Sequence, residues 1–316
     1  MFDKMIFNIR IQFDKEAFPI AERNNLQSCM EGKNVYYKST RIANFEGITM
    51  TVKDGKVQIK CSLHKIYYKN VFNELDNSGL FTMDNAVKAL DMLFNTIGVD
   101  KERAKITYFE IGLNIPTEHE PIQYIELVKS ITTGKLKQQQ KEMFNDANFK
   151  KYRQKTTEKH KNIKKVFKLY DKGFENADRK RTEPTGEKIL RIETMYRRQS
   201  IYVSDFFLPD NISKLAKTFY RDWVNVEFDR TITADKGTRQ SEISNAKNVL
   251  LLGRDEYLIQ VKSDFDKGIL TAKQYRTIRE FIRDWENNKH KYRALPTKHE
   301  KEYKEKLWYM FNLSKH

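Results

Sequence analysis

Residues 47–68, "GITMTVKDGKVQIKCSLHKIYY", decide the fold. Two alternating runs rich in Ile, Val and Thr flank Asp54-Gly55, a pair suited to the two-residue turn of an antiparallel hairpin. Because strand side chains alternate between faces, Val57, Ile59, Cys61 and Leu63 are predicted on a core face. Lys60, Ser62 and His64 then share the opposite, open face.

The same pattern extends outward in both directions. Residues 5–12, "MIFNIRIQ", alternate like a first strand, and residues 104–116, "AKITYFEIGLNIP", like a later one. Between them, "TMDNAVKALDMLFNTIGV" (82–99) has helical apolar spacing, a Thr/Asp start and a stop at Gly98. A second helix is predicted in "EPIQYIELVKSIT" (120–132), and two more strands in "VFKLYDKG" (166–173) and "ILRIETMYR" (189–197). From about residue 205 the periodicity turns helical. The order predicts an α+β fold: an antiparallel sheet with helices on one face over 1–203, then a smaller helical DNA-binding or accessory region over 204–316, in which "LTAKQYRTIREFIRDWENN" (270–288) is a candidate recognition helix for duplex origin DNA beside the plainer reading of a packing helix.

Composition narrows the partners. The 316 residues carry 59 Lys+Arg against 43 Asp+Glu, a net charge of +16, which favours a polyanion and nucleic acid ahead of a membrane surface. The excess is steepest over 134–168, with twelve basic residues against three acids. This segment is predicted to grip DNA phosphates, Lys150, Lys151 and Arg153 among them, with Phe149, Tyr152 and Phe167 available for base stacking. A solvated charged loop is the plainer reading. No apolar run is long enough to cross a membrane, and the charge-interleaved N-terminus does not resemble a signal peptide, so a cytoplasmic location is expected. Cys29 and Cys61 lack metal-site spacing.

Sorting each strand by alternation gathers chemistry on one face. Thr107, Phe109, Ile111, Leu113 and Ile115 are assigned to the core, which sends Glu110, Gly112 and Asn114 to the other side. Phe167 and Leu169 point in, leaving Lys168, Tyr170 and Lys172. Leu190 and Ile192 point in, leaving Arg191 and Glu193. Each polar residue alone is ordinary, since a strand Glu facing a Lys is a common cross-strand pair. Together, Glu110, Glu193 and His64 form a candidate site for Mg²⁺ or Mn²⁺, which would clamp phosphate oxygens. A tyrosine, with its usual pKa of about 10, needs nearby cations such as Lys168 and Lys172 to act as a nucleophile; Lys168, Lys172 and Arg191 are expected to steady the phosphate, with Asn114 as a further DNA contact. Gly112 is expected to leave room for a phosphate or backbone.

With these residues placed, "KVQIKCSLHKIYYKNVFN", "ITYFEIGLNI", "VFKLYDKG" and "ILRIETMYRR" resemble, in order and approximate spacing, the filamentous-phage gene II replication initiators, a divergent branch of the HUH-type rolling-circle endonucleases. The resemblance spans about residues 55–200. It implies a tyrosine that nicks one strand at an origin, keeps the 5′ phosphate as a phosphotyrosyl ester and leaves a free 3′ hydroxyl. The nucleophile's place falls on Tyr170, with Lys172 two positions on, and the family's carboxylates fall on Glu110 and Glu193. Single-stranded and origin DNA, and a host helicase or polymerase, are the implied partners. The chain departs from the wider HUH pattern in having no His-x-His pair. Tyr152 is a rival nucleophile, and a non-catalytic DNA-binding replication or packaging protein, or an RNA-binding module, are alternative readings.

Overall fold

The computed structural model describes residues 2–32, 34–42, 45–74, 80–131, 139–143, 149–154, 165–180 and 186–314. Its backbone forms a ten-stranded sheet in which every described pairing is antiparallel. The strands are β1 (Phe2–Arg10), β2 (Gln27–Glu31), β3 (Asn34–Ile42), β4 (Phe45–Lys53), β5 (Lys56–Ser62), β6 (Ala104–Pro116), β8 (Gln139–Met143), β9 (Phe149–Gln154), β10 (Lys165–Asp171) and β11 (Ile189–Tyr202); the short β7 (Val128–Ile131) lies outside this sheet. The order is β2-β3-β4-β5-β1-β6-β11-β10-β9-β8. The expected hairpin is β4–β5, with Asp54 and Gly55 both at positive φ (50° and 66°), the conformation a tight two-residue turn requires.

Helix α1 (Phe13–Arg23) follows β1, and α2 (Leu63–Phe72) follows β5 without a loop. Helix α3 (Met83–Ile97) has the predicted ends: Thr82 accepts a hydrogen bond from the Asn85 amide, and Gly98 closes the helix at φ 68°. Helix α4 (Pro121–Leu127) is shorter than expected, because the β-branched run from Val128 takes up strand β7. The core face is mostly apolar: Met5, Phe7, Ile59, Met50, Phe109, Ile111, Phe167 and Ile192 are all buried, and Thr194, in register between Phe167 and Ile111, is its buried polar exception. One register detail differs. A bulge opposite Ile6/Phe7 takes Thr107 off the core face, where its hydroxyl donates to the Ile6 carbonyl and accepts from the Asn8 amide.

The chain divides into two compact units, 1–227 with 302–316, and 228–301. Helices α6 (Val203–Phe206) and α7 (Pro209–Val224) fall in the first of these units. The Trp223 indole donates to the Thr194 hydroxyl at 2.9 Å and meets the Phe167 ring edge-on. Phe167 is therefore core, not a base-stacking platform. In the second unit, α8 (Gln240–Leu252), α9 (Arg254–Asp266), α10 (Ala272–Arg283) and α11 (Trp285–Asn288) surround a small core of Ala246, Val249, Tyr257, Val261, Ile282 and Trp285. No described helix is long and apolar enough to cross a membrane.

Candidate functional site

Neighbouring strands β10, β11 and β6 set the predicted residues in successive rungs. Lys168 stands opposite Glu193, and Glu193 opposite Gly112; in the next rung Tyr170 stands opposite Arg191, and Arg191 opposite Asn114. Glu110 follows one rung the other way, opposite Met195. Alternation thus brings Glu110, Gly112, Asn114, Lys168, Tyr170, Arg191 and Glu193 to one face, as expected from their periodicity.

The side chains interlock. Tyr170 donates its hydroxyl proton to Glu193 Oε1 at 2.7 Å, and Arg191 Nε donates to the same oxygen at 3.1 Å. Arg191 Nη1 reaches Asn114 Oδ1 at 2.9 Å. Lys168 Nζ bridges Glu193 Oε2 at 3.0 Å and Glu110 Oε1 at 3.2 Å. Tyr108, which the alternation places on the same face as Glu110 but which sequence reasoning passed over, donates its hydroxyl to Glu110 Oε1.

Gly112 serves this network directly. A Cβ there would stand 2.4 Å from Arg191 Nη2, so the guanidinium lies across the glycine on its way to Asn114. The space expected for a phosphate is filled by an arginine.

The polar face is not open, which corrects the sequence expectation. Tyr170 is 7% exposed, Glu110 6%, Arg191 3% and Glu193 2%. Buried charges need partners, and two cations here balance two carboxylates. Burial, then the charge of Glu193, pushes the Tyr170 phenol well above the usual tyrosine range, with Arg191 opposing. Burial and Glu110 do the same to Tyr108. Burial works against the charge on Lys168, but Glu193 and Glu110 together outweigh it and hold its ammonium above the usual lysine range. The phenol is accordingly a proton donor held against a carboxylate.

Two predicted residues sit on helices instead of strands. Ser62 accepts a hydrogen bond from the Lys65 amide and so caps α2, which ends β5 and puts His64 in the first helical turn. His64 is buried, stacked on Phe81 with ring centroids 4.5 Å apart. It lines a cavity of about 210 Å³ together with Gly112, Asn114 and Arg191. Likewise, β10 stops at Asp171, whose side chain accepts from the Phe174 amide, and Lys172 begins α5 (Lys172–Lys180). Its buried ammonium pairs with Glu175 at 2.5 Å.

The three expected metal ligands do not converge. The one described trio of acidic and histidine groups with ligand atoms within 4.8 Å of one another is Glu118, His119 and Glu302. Glu302 already accepts from the Glu118 amide, the Tyr124 hydroxyl and Lys306. Between Glu110 and Glu193 stands the Lys168 ammonium, so the residues as arranged do not fit a divalent ion unless Lys168 moves.

Of the basic segment, 134–138, 144–148 and 155–164 lie outside the described residues. On β9, Lys151 pairs in register with Lys168, while Lys150, Tyr152 and Arg153 stand opposite Leu169, Phe167 and Val166. Lys165 turns inward, to Asp222. Neither a protein-family model nor a curated protein matches the chain.

Proposed function

We propose that this chain is a rolling-circle replication initiator of the HUH type that nicks one DNA strand through Tyr170 and rejoins it. The observation that carries this reading is the contact of the Tyr170 hydroxyl with Glu193, flanked by Lys168 and Arg191, within the segments that resemble the gene II initiators. In the reaction, the phenolic oxygen bonds to the scissile phosphorus as its proton passes to Glu193. The bond to the 3′ oxygen breaks, and that oxygen takes up a proton to leave a 3′ hydroxyl. The 5′ phosphate stays on Tyr170, and reversal rejoins the strand. Arg191 and Lys168 supply fixed positive charge for the phosphoryl oxygens, once these displace Glu193 as their partner. Mg²⁺ or Mn²⁺, which the resemblance implies, would be held by Glu110 and Glu193 only with Lys168 displaced.

A second reading rests on the closure of the same cluster. Balanced, buried charges and a phenol held in its neutral form also describe a purely structural network. The chain would then be a non-catalytic DNA-binding replication or packaging protein.

One experiment separates them. The full chain is incubated with a single-stranded oligonucleotide library and Mg²⁺, Mn²⁺ or chelator, then run on a denaturing gel. A slower, DNA-bearing protein band that Tyr170→Phe abolishes and Tyr152→Phe retains supports the nickase. A band that survives Tyr170→Phe but not Tyr152→Phe moves the nucleophile to β9, and no band under any condition leaves the binding protein.

A further inference from the structure

The second unit carries a groove that the proposed reaction does not use. Helix α10 begins with a capping box, in which the Thr271 hydroxyl accepts from the Gln274 amide and Gln274 Oε1 accepts from the Thr271 amide, so its register is firmly set. Ile282 is buried in the unit's core, and Tyr275, Ile278 and Phe281 pack against that core. The apolar side of α10 is therefore a packing face. Its other side presents Arg276, Arg279 and Arg283, all exposed and spaced three and four residues apart, which places them in one stripe.

Across from this stripe, α9 adds Arg254, and the two helices enclose a groove of about 580 Å³. Four arginines face one acid, Glu280, in its lining. Among the described residues, Arg283 is the only one of the four in an ion pair, with Asp284. Phe265 and Tyr275 form the groove's aromatic part, stacked on each other with centroids 4.5 Å apart. Their mutual stacking leaves the groove to offer charge more than base-stacking platforms. From Arg276 to Arg283 the helix rises about 10 Å, close to three base-pair steps of duplex DNA.

We infer that the α9–α10 groove binds the phosphate backbone of duplex DNA, with Arg254, Arg276, Arg279 and Arg283 as the contacts. The inference rests on the DNA-binding half of the reading above and is independent of Tyr170. Planar guanidinium groups suit phosphate oxygens bidentately, and such contacts hold a duplex in place without reading its sequence. The groove would hold the double-stranded flank of an origin while chemistry proceeds elsewhere on a single strand.

The test is fluorescence polarisation of a labelled 20-base-pair duplex with the full chain between 50 and 200 mM NaCl. Arg276→Glu/Arg279→Glu is expected to weaken binding at least tenfold at 100 mM, and to flatten the log–log salt slope by about two, the loss of two phosphate contacts. Arg276→Lys/Arg279→Lys keeps most of the slope because it keeps the charge. Wild-type affinity and slope in the charge-reversed variant would overturn the inference. So would single-stranded DNA or RNA of equal length outcompeting the duplex through the same arginines. Circular dichroism melts confirm folding, and the single Arg276→Gln and Arg279→Gln variants, each expected to flatten the slope by about one, provide the reading if the double variant is unfolded. Covalent attachment to single-stranded oligonucleotides separates the two proposals: the charge-reversed variant retains it, and Tyr170→Phe loses it with duplex binding intact.

Discussion

The hydroxyl of Tyr170 and Oε1 of Glu193 lie 2.7 Å apart on adjacent strands, one rung out of register with each other. Glu193 also accepts from Arg191 and Lys168, so a single carboxylate ties the phenol to both cations. Glu193→Gln keeps the shape and removes the charge, leaving two buried cations with less than their balancing anion. Urea unfolding should show a loss of about 3 kcal/mol, and the covalent-adduct band should weaken with it. Unchanged stability would mean that the cluster is open to water.

Gly112 and Arg191 should be energetically coupled. Gly112→Ala places a methyl 2.4 Å from Nη2, so the guanidinium must leave Asn114, at a cost of about 1–3 kcal/mol. In an Arg191→Ala background the same methyl meets no guanidinium, and its cost should fall to a few tenths. A double-mutant cycle without that coupling would remove the account of the glycine.

Lys168 answers the metal question. In the absence of DNA, its ammonium stands between Glu110 and Glu193, and millimolar Mn²⁺ should leave the wild-type melting temperature unmoved. Lys168→Met leaves two facing carboxylates, so Mn²⁺ should stabilise that variant, by about 2.7 kcal/mol at a hundredfold excess over Kd. An equal shift in the wild type would show that an ion enters with Lys168 in place.

Stability should fall at alkaline pH. Tyr170, Tyr108 and Lys168 all have folded pKa values raised above their unfolded ones, so the folded state holds protons that the unfolded chain releases. Their contribution is fully present below about pH 10 and declines as pH rises above it. Denaturation midpoints between pH 8 and 11 should trace this decline, with a shallower slope in Tyr170→Phe. A slope identical in wild type and variant would contradict the burial of the phenol.

Alternation made much of the cluster legible. Glu110, Asn114, Lys168, Tyr170, Arg191 and Glu193 share a face because a period of two is a property of any strand, whatever its neighbours. His64 and Lys172 were misplaced because their runs still alternate past the strand ends, and only the Ser62 cap and the turn at Asp171 show where helix takes over. Tyr108 was passed over beside Glu110, although the same period reaches it. Thr107 was misassigned because a bulge shifts the alternation by one residue, which depends on the partner strand.

By itself, the amino-acid sequence determined the antiparallel hairpin, the helix ends at Thr82 and Gly98, the basic charge and, apart from the bulge at Thr107, the split of the strands into two faces. These follow from local backbone sterics, capping and side-chain period, which act within a few residues. Tertiary structure alone decided that the polar face is buried, that Arg191 fills the space over Gly112, that Lys168 stands between the two carboxylates and that four arginines from two helices line one groove. Those outcomes depend on which strands and helices become neighbours, and so on contacts between residues far apart in the chain.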